Sequence, residues 1–267
     1  MTAESYRVGE FAPDILYIEE GHVRMWLLLG EREAILVDTG FGGGDLAALV
    51  GRLIGDRRLR VVLTHGDVDH RGAVGQFEQV AAHPAEFSSL DVGGALATGG
   101  TLATGSTLAT GGTLATGSTL ATGSTLPVGI EPLWEGTVFD LGPGRYEVLL
   151  IPGHTPGSIA LHDPARGVLI AGDSVQRGPI YMFGPARNMA AWVASMRRLA
   201  DMRRKLGEAA FAHILSAHND LSLDGSIFAD LIAGGEAWLA GRLVGEDPGM
   251  DRPCRLYRAP GVAFFAP

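Results

Sequence analysis

Cysteine is almost absent from this chain of 267 residues, in which Cys254 is the only one. Because a disulfide needs two cysteines, intrachain disulfides are excluded, and so is a zinc site built from several thiolates. The sequence also lacks an excess of basic residues, since its formal net charge is −9. A nucleic-acid-binding protein usually carries a basic face, so we expect no nucleic-acid partner.

Long apolar segments are missing as well. The apolar runs, such as residues 25–29, are far too short to span a bilayer. The first seven residues lack a basic region followed by an apolar one, so no secretory signal is predicted. We therefore expect a cytoplasmic protein with no membrane partner. What the chain does have is 46% apolar residues, enough for one large domain with a buried core.

The first half of the chain alternates between patterns of strand and helix. Short apolar runs bounded by Gly-rich turns predict strands, and apolar residues at helical spacing predict helices. The predicted strands are 14–18, 23–29, 34–38 and 61–63, and the predicted helices are 45–53 and 72–80. This alternation is typical of an α/β layered fold.

The second half repeats this design. The predicted strands are 138–141, 146–151, 159–162, 168–171 and 210–216, and the predicted helices are 188–206 and 225–244. The tail, 254–265, reads as two short edge strands around Pro260-Gly261. If the two halves face each other, they form a single-domain, four-layer αββα sandwich.

Residues 97–126 interrupt this pattern with five tandem copies of the unit Ala-Thr-Gly-Gly/Ser-Thr-Leu. A six-residue Leu repeat can indicate a β-solenoid, but five hexads make a poor free-standing core. We favour an expanded surface loop rich in Gly, Thr and Ser. The domain would then span 1–267, with a low-complexity insert at about 93–126 that adds nothing to the chemistry.

Four candidate metal ligands crowd into six residues after the apolar run 61–63. They are His65, Asp67, Asp69 and His70. Carboxylate and imidazole groups bind borderline divalent metals well, and so much charge at the end of a buried strand is unfavourable without a cation. Active sites of α/β sheets also lie at strand ends, which favours a ligand cluster over an ordinary solvated loop.

Three further strand ends present one candidate ligand each. His154 lies in Gly153-His154-Thr155-Pro156-Gly157-Ser158, Asp173 follows the strand 168–171, and His218 follows the strand 210–216. Each signal is weak alone, because a single His after a strand is more often structural. All of them together, in this order, predict a metal site.

These motifs, with the Asp38-Thr39-Gly40 turn, resemble the metallo-β-lactamase superfamily of hydrolases over nearly the whole chain outside the repeat. The resemblance implies two divalent metals between two sheets. His65, Asp67 and His154 would hold one metal, and Asp69, His70 and His218 would hold the other. Asp173 and a hydroxide would bridge them, while Asp38 would orient the ligand loop from behind.

The sequence departs from the family's usual His-x-His-x-Asp-His motif, because Asp67 stands where the second His is expected. Asp is still a competent ligand, so we do not interpret the site as inactive. Three carboxylates should neutralise the two dications further and acidify the bridging water less. Zn²⁺ is the expected metal, and Mn²⁺ or Fe²⁺ compete better than they would at a His-rich site.

The remaining histidines are interpreted as structural or exposed, namely His22, His83, His162 and His213. Tyr181, Met182 and Phe183 could line the pocket or belong to the core.

The function predicted from these features is metal-assisted hydrolysis of a small-molecule ester, lactone or thioester, with Asp69 as a possible proton shuttle. Two alternatives stay open. The carboxylate-rich ligand set also suits a mononuclear or diiron oxygenase or oxidoreductase on the same fold, and a non-catalytic metal-binding module is the other. The oligomeric state is not predicted.

Overall fold

A computed structural model describes residues 6–90 and 129–267. Seven strands of the first half form one sheet in sequence order, with antiparallel neighbours from β1 to β4 and parallel ones from β4 to β7. The strands are β1 (Arg7–Ala12), β2 (Ile15–Glu20), β3 (Val23–Leu29), β4 (Glu33–Val37), β5 (Arg58–Val62), β6 (Gln79–Ala82) and β7 (Gly129–Pro132).

The second half contributes two smaller sheets. Their strands are β8 (Val138–Asp140), β9 (Arg145–Leu150), β10 (Ile159–Asp163), β11 (Val168–Ile170), β12 (Pro179–Tyr181), β13 (His213–Leu215), β14 (Gly245–Glu246), β15 (Arg255–Ala259) and β16 (Val262–Ala266). One sheet has the order β13-β11-β10-β9-β8 and the other β12-β16-β15-β14.

Within residues 6–90 and 129–267, three longer helices flank the sheets: α1 (Leu46–Ile54), α4 (Met189–Leu206) and α5 (Ile227–Leu239). The same part of the chain has two four-residue helices in loops, α2 (Val68–Arg71) and α3 (Phe87–Leu90). Side-chain caps start α1 and α4, since Asp45 accepts from the Ala48 amide at 2.9 Å and Asn188 from the Ala191 amide at 2.9 Å. Among the described residues, no helix has the length and apolar character needed to cross a bilayer.

Among the residues that the structure describes, alternation along the strands produces three apolar cores. In β4, Ala34 and Leu36 face α1, while Ile35 and Val37 face the second half. The same alternation in β9 places Val148 in the central core and Leu149 in a third core with α4 and α5. The layers therefore run helix, sheet, sheet, helix, which confirms the predicted four-layer αββα sandwich.

The helix predicted over 72–80 is wrong. The chain instead forms α2, a 3-10 turn at Val74–Gln76 and then β6. Gly72 is the C-cap of α2 rather than the start of a helix, and it is glycine because a Cβ there would lie 2.2 Å from the Phe41 backbone.

Three other predicted elements differ from those observed. The helix predicted over 225–244 ends at Leu239, because Gly241 takes a left-handed φ of 65° and its amide closes the end on the Trp238 carbonyl at 2.9 Å. The strand predicted over 210–216 keeps only β13, since a 3-10 turn covers Glu208–Phe211. The tail strands β15 and β16 are internal to their sheet rather than edge strands. The repeat at 97–126 lies outside the described residues.

Candidate metal centre

The seven predicted ligands meet where the ends of β5, β9, β11 and β13 approach one another between the two larger sheets. His65, Asp67, Asp69 and His70 follow β5 through α2, His154 follows β9, Asp173 follows β11 and His218 follows β13. They form three overlapping groups of three, and within each group the potential ligand atoms lie within 4.8 Å of one another. The structure therefore brings together all seven side chains.

His65, Asp67 and His154, here called the first cluster, face one another through single atoms. The Nε2 atoms of His154 and His65 lie 3.2 Å apart, and His154 Nε2 lies 3.2 Å from Asp67 Oδ2. His65 Nε2 is 3.6 Å from the same oxygen. The cluster thus directs two ring nitrogens and one carboxylate oxygen towards the same point. This arrangement suits a divalent cation.

Asp69, His70 and His218, here called the second cluster, form the neighbouring group. Asp69 Oδ2 lies 3.4 Å from His218 Nε2 and 3.7 Å from His70 Nε2. Asp173 lies between the clusters. Its Oδ1 is 3.1 Å from both His70 Nε2 and His218 Nε2, and its Oδ2 is 3.7 Å from His154 Nε2. One carboxylate thus reaches both clusters.

The ring orientations of the second cluster fit a metal there. Nδ1 of His70 contacts Asp38 at 2.9 Å, and Nδ1 of His218 contacts the His22 carbonyl at 2.7 Å. These contacts turn Nε2 of both rings inward, as in proteins where a second partner orients a ligating His. His70 Nε2 and Asp173 Oδ1 are buried and have no hydrogen-bond partner among the described residues, which fits atoms that share a cation.

Asp38 contacts the loop of the candidate ligands His65 to His70. It has a left-handed φ of 67°, a conformation that Asp tolerates better than most residues. Its carboxylate accepts hydrogen bonds from the Thr64 amide at 2.7 Å and the Thr64 hydroxyl at 2.8 Å, besides contacting His70. The buried Asp38 thereby connects the end of β4 to Thr64, which precedes His65, and to His70, which follows Asp69.

The electrostatics of the second cluster favour charge on both partners. Burial alone would lower the pKa of His218, but Asp173 and Asp69 raise it to about 10. Burial opposes the ionisation of Asp173, yet His70 and His218 hold the pKa of that carboxyl well below its usual range. The carboxylates are therefore ionised at neutral pH, which is the form that binds metal.

The first cluster differs in this respect. Burial lowers the pKa of His154, so this ring is neutral at pH 7 and ready to act as a ligand. Burial would raise the pKa of Asp67, but hydrogen bonds to His154 and His65 lower it, so Asp67 stays ionised.

Glu86 is a positioning residue that the sequence interpretation missed. Its buried carboxylate accepts from the Gly66 amide at 2.8 Å and the Gly157 amide at 2.7 Å. It thereby ties the loop of His65 and Asp67 to the loop of His154. A Cβ on Gly66 would lie 1.8 Å from Ser89 Oγ, so this close approach requires glycine. No local motif around Glu86 signals the contact.

Arg24 supports the second cluster in a similar way. Its Nη1 donates to the Ser216 carbonyl at 3.1 Å and the Asp220 carbonyl at 3.0 Å, on both sides of His218. His22, interpreted as structural or exposed, is exposed and stacks on the His218 ring at 5.8 Å between centroids. His83 caps a 3-10 turn, and His162 is buried against Phe211.

A cavity of about 960 Å³ opens above the clusters. Asp67, Asp69, Asp173 and His218 lie in its wall, together with aromatic side chains that include Phe41, Tyr181, Phe183 and Phe265. Tyr181 and Phe183 therefore line the cavity, whereas Met182 belongs to the core. Arg187 also lines it and forms an ion pair with Asp67, with Nη2 2.5 Å from Oδ2.

The family profile described as "Metallo-beta-lactamase superfamily" matches residues 18–213. The chain therefore belongs to this superfamily of metal-binding proteins, and its predicted identity as a hydrolase is confirmed. It is 30% identical to the human protein named "Acyl-coenzyme A thioesterase MBLAC2" over 198 residues, which cover 70% of each chain. An uncharacterised protein of Aquifex aeolicus is 27% identical over 168 residues, 62% of this chain and 72% of that one.

Solved structures support the same fold. The metallo-beta-lactamase from Pontibacter korlensis superposes with a TM-score of 0.60 at 14% identity, covering 86% of this chain and 99% of that one. At this identity the likeness concerns the fold alone.

Proposed function

We propose that this chain is a dinuclear metal-dependent hydrolase that cleaves acyl thioesters. The observation that carries the proposal is the convergence of two His/Asp clusters, with Asp173 between them, on the floor of one cavity. The similarity to proteins named acyl-coenzyme A thioesterases supports the thioester as the substrate class.

The proposed metal ligands divide as the clusters do. His65, Asp67 and His154 would hold one ion, the second cluster would hold the other, and Asp173 would reach both. Two divalent ions here, with Zn²⁺ as the first choice and Mn²⁺ or Fe²⁺ as alternatives, would polarise the scissile carbonyl and make a water more acidic.

Asp69 is the proposed proton carrier. Burial would raise its pKa, but His218 and His70 lower it, so the carboxylate is ionised and can accept a proton. Its side chain is 22% exposed, against 7% for Asp173. Water would attack the carbonyl carbon and the carbon–sulfur bond would break. Asp69 would take the proton of the water and pass it to the departing sulfur.

The rim of the cavity suits an apolar acyl group. Phe41 and Val68 are large apolar residues that remain exposed, with relative accessibilities of 41% and 63%, and both line the cavity. Exposed apolar side chains around a concave site commonly mark a binding surface. Phe183 and Phe265 extend this apolar lining.

The test starts from protein stripped by a chelator and reloaded with Zn²⁺, Mn²⁺ or Fe²⁺. Thiol release from acyl-CoA substrates of increasing chain length is then compared with hydrolysis of matched oxygen esters, lactones and a β-lactam. We expect thioester turnover that requires metal and is abolished by Asp173→Asn. Asp201→Asn, the same change on the exposed surface of α4, serves as the control.

Other results would point elsewhere. Faster turnover of a lactone or ester than of every thioester would keep the hydrolase and refute the thioester. Oxygen consumption with Fe²⁺ and no hydrolysis in any metal would favour the oxygenase alternative, and tight metal binding without any activity would favour a binding module.

A further inference from the structure

Arg187 lies beside the first cluster on a segment that is hydrogen-bonded to the His154 loop. It lies just before α4, after Ala186, which has a left-handed φ of 68°. The amide of the next residue, Asn188, donates to the Gly153 carbonyl at 2.8 Å. Because Gly153 directly precedes His154, the segment that carries Arg187 is tied to the loop that carries one of the proposed ligands.

The guanidinium of Arg187 contacts the oxygen that faces the two imidazoles. Its Nη2 is 2.5 Å from Asp67 Oδ2, the atom that also lies 3.2 Å from His154 Nε2. The Arg187 side chain is 14% exposed and that of Asp67 is 30% exposed. Solvent therefore screens this pair less than a surface ion pair. A carboxylate oxygen has two lone pairs, so one can accept from Arg187 while the other faces a cation.

The charges of Asp67 and Arg187 cancel. Asp67 adds one negative charge where the usual motif has a neutral His, and Arg187 adds one positive charge in direct contact. Together they carry no net charge, as the neutral ring would. The sequence-based expectation counted three uncompensated carboxylates and did not include Arg187. When Arg187 is included, the negative charge of the site is smaller by one.

We infer that Arg187 is a positioning and charge-compensating residue, so that Asp67 and Arg187 together replace the second His of the family's motif as one unit. This inference rests on the proposed metal site. Its consequence is that Asp67 cannot be exchanged alone. Asp67→His would leave Arg187 as an unpaired cation beside a dication, and metal binding at the first cluster would weaken although the motif becomes the usual one.

The experiment is a double-mutant cycle read by metal binding. Asp67→His, Arg187→Gln and the double variant are dialysed, the metal content per chain is measured, and the weaker dissociation constant is obtained by competition with a chromophoric chelator. We expect Asp67→His to lose at least about tenfold in affinity for one metal, and the double variant to recover it, which is within the coupling measured for residues in contact.

A matched control uses Arg252, an arginine of the same cavity whose guanidinium lies 5.9 Å from the Phe183 ring centroid. Arg252→Gln removes the same charge, but it should not rescue Asp67→His. Retention of one metal per chain and of cooperative thermal unfolding shows that each variant is folded. Asp67→Asn, which keeps the size of the side chain, repeats the test and should weaken the same metal.

Three outcomes would overturn the inference. They are wild-type affinity in Asp67→His, failure of Arg187→Gln to improve it, and equal rescue by Arg252→Gln. A wild-type protein that binds no divalent metal would refute the proposed metal site instead, so the two failures are distinguishable.

Discussion

The two clusters are built from similar side chains but sit in different electrostatic surroundings. The second cluster has Asp69 and the shared Asp173 around two imidazoles, and the pKa of His218 rises to about 10. The first has one carboxylate that is already paired with Arg187, and its His154 has a lowered pKa. A dication should therefore bind more strongly at the second cluster than at the first.

The strongest test of this comparison removes the side chain that both halves share. Asp173→Ala should empty both clusters, because its two oxygens face His70 and His218 on one side and His154 on the other. We expect a loss of more than about 100-fold in affinity for each metal. Elemental analysis after dialysis measures this, and a variant that keeps one tightly bound ion would show that Asp173 serves only one cluster.

Removing one ligand from each half should separate them. Asp67→Ala should leave about one metal per chain, because Asp69, His70 and His218 remain complete. Asp69→Ala should weaken the second cluster and spare His65, Asp67 and His154. Chelator titrations of the two variants report which ion is lost. If Asp67→Ala retains two tightly bound ions and full activity, Asp67 is not a ligand.

Substitution of residues that contact the proposed ligands, rather than the ligands themselves, should lower metal affinity by a smaller factor. Asp38→Asn removes the charge that orients His70 and should weaken the second cluster by about 10- to 100-fold. Glu86→Gln keeps the shape but weakens the bonds to Gly66 and Gly157, so it should act on the first cluster. Metal affinity of both variants checks this, and equal loss at both clusters would contradict the division.

The metal-free protein should show the comparison in its pH dependence. The folded pKa of His218 lies above the unfolded value of 6.5, so its stabilisation is present below about pH 6.5 and is lost as the pH rises to about 10. For His154 the folded pKa is lowered, so its stabilisation is lost as the pH falls below 6.5. The free energy of unfolding, measured with urea, should fall by on the order of 2 kcal/mol between pH 7 and pH 10. In His218→Gln the fall should be smaller.

The smallest effect is expected from the repeat. Deleting residues 97–126 should leave the metal content of both clusters unchanged and change the free energy of unfolding by only about 1 kcal/mol, because closure entropy varies only logarithmically with loop length. Loss of folding on deletion would support a packed solenoid.

The sequence by itself determined the four-layer fold class and the seven residues that the structure brings together. Strand-end motifs such as His65 to His70 are local, and the strands before them carry apolar patterns that can be read without a partner. Prediction from the sequence failed where the apolar residues have no clear period, as at 72–80. It also misplaced element boundaries such as the end of α5, which Gly241 terminates.

Only the tertiary structure decided the surroundings of the site. Arg187 contacts Asp67, which lies 120 positions away in the sequence. Glu86 binds the amides of Gly66 and Gly157, and Gly157 lies 71 positions after Glu86. Neither contact leaves a local pattern, because an arginine before a helix or a glutamate in a turn is ordinary by itself. The charge at the first cluster is the sum over residues that packing brings together, so the motif alone underestimated its positive charge by one.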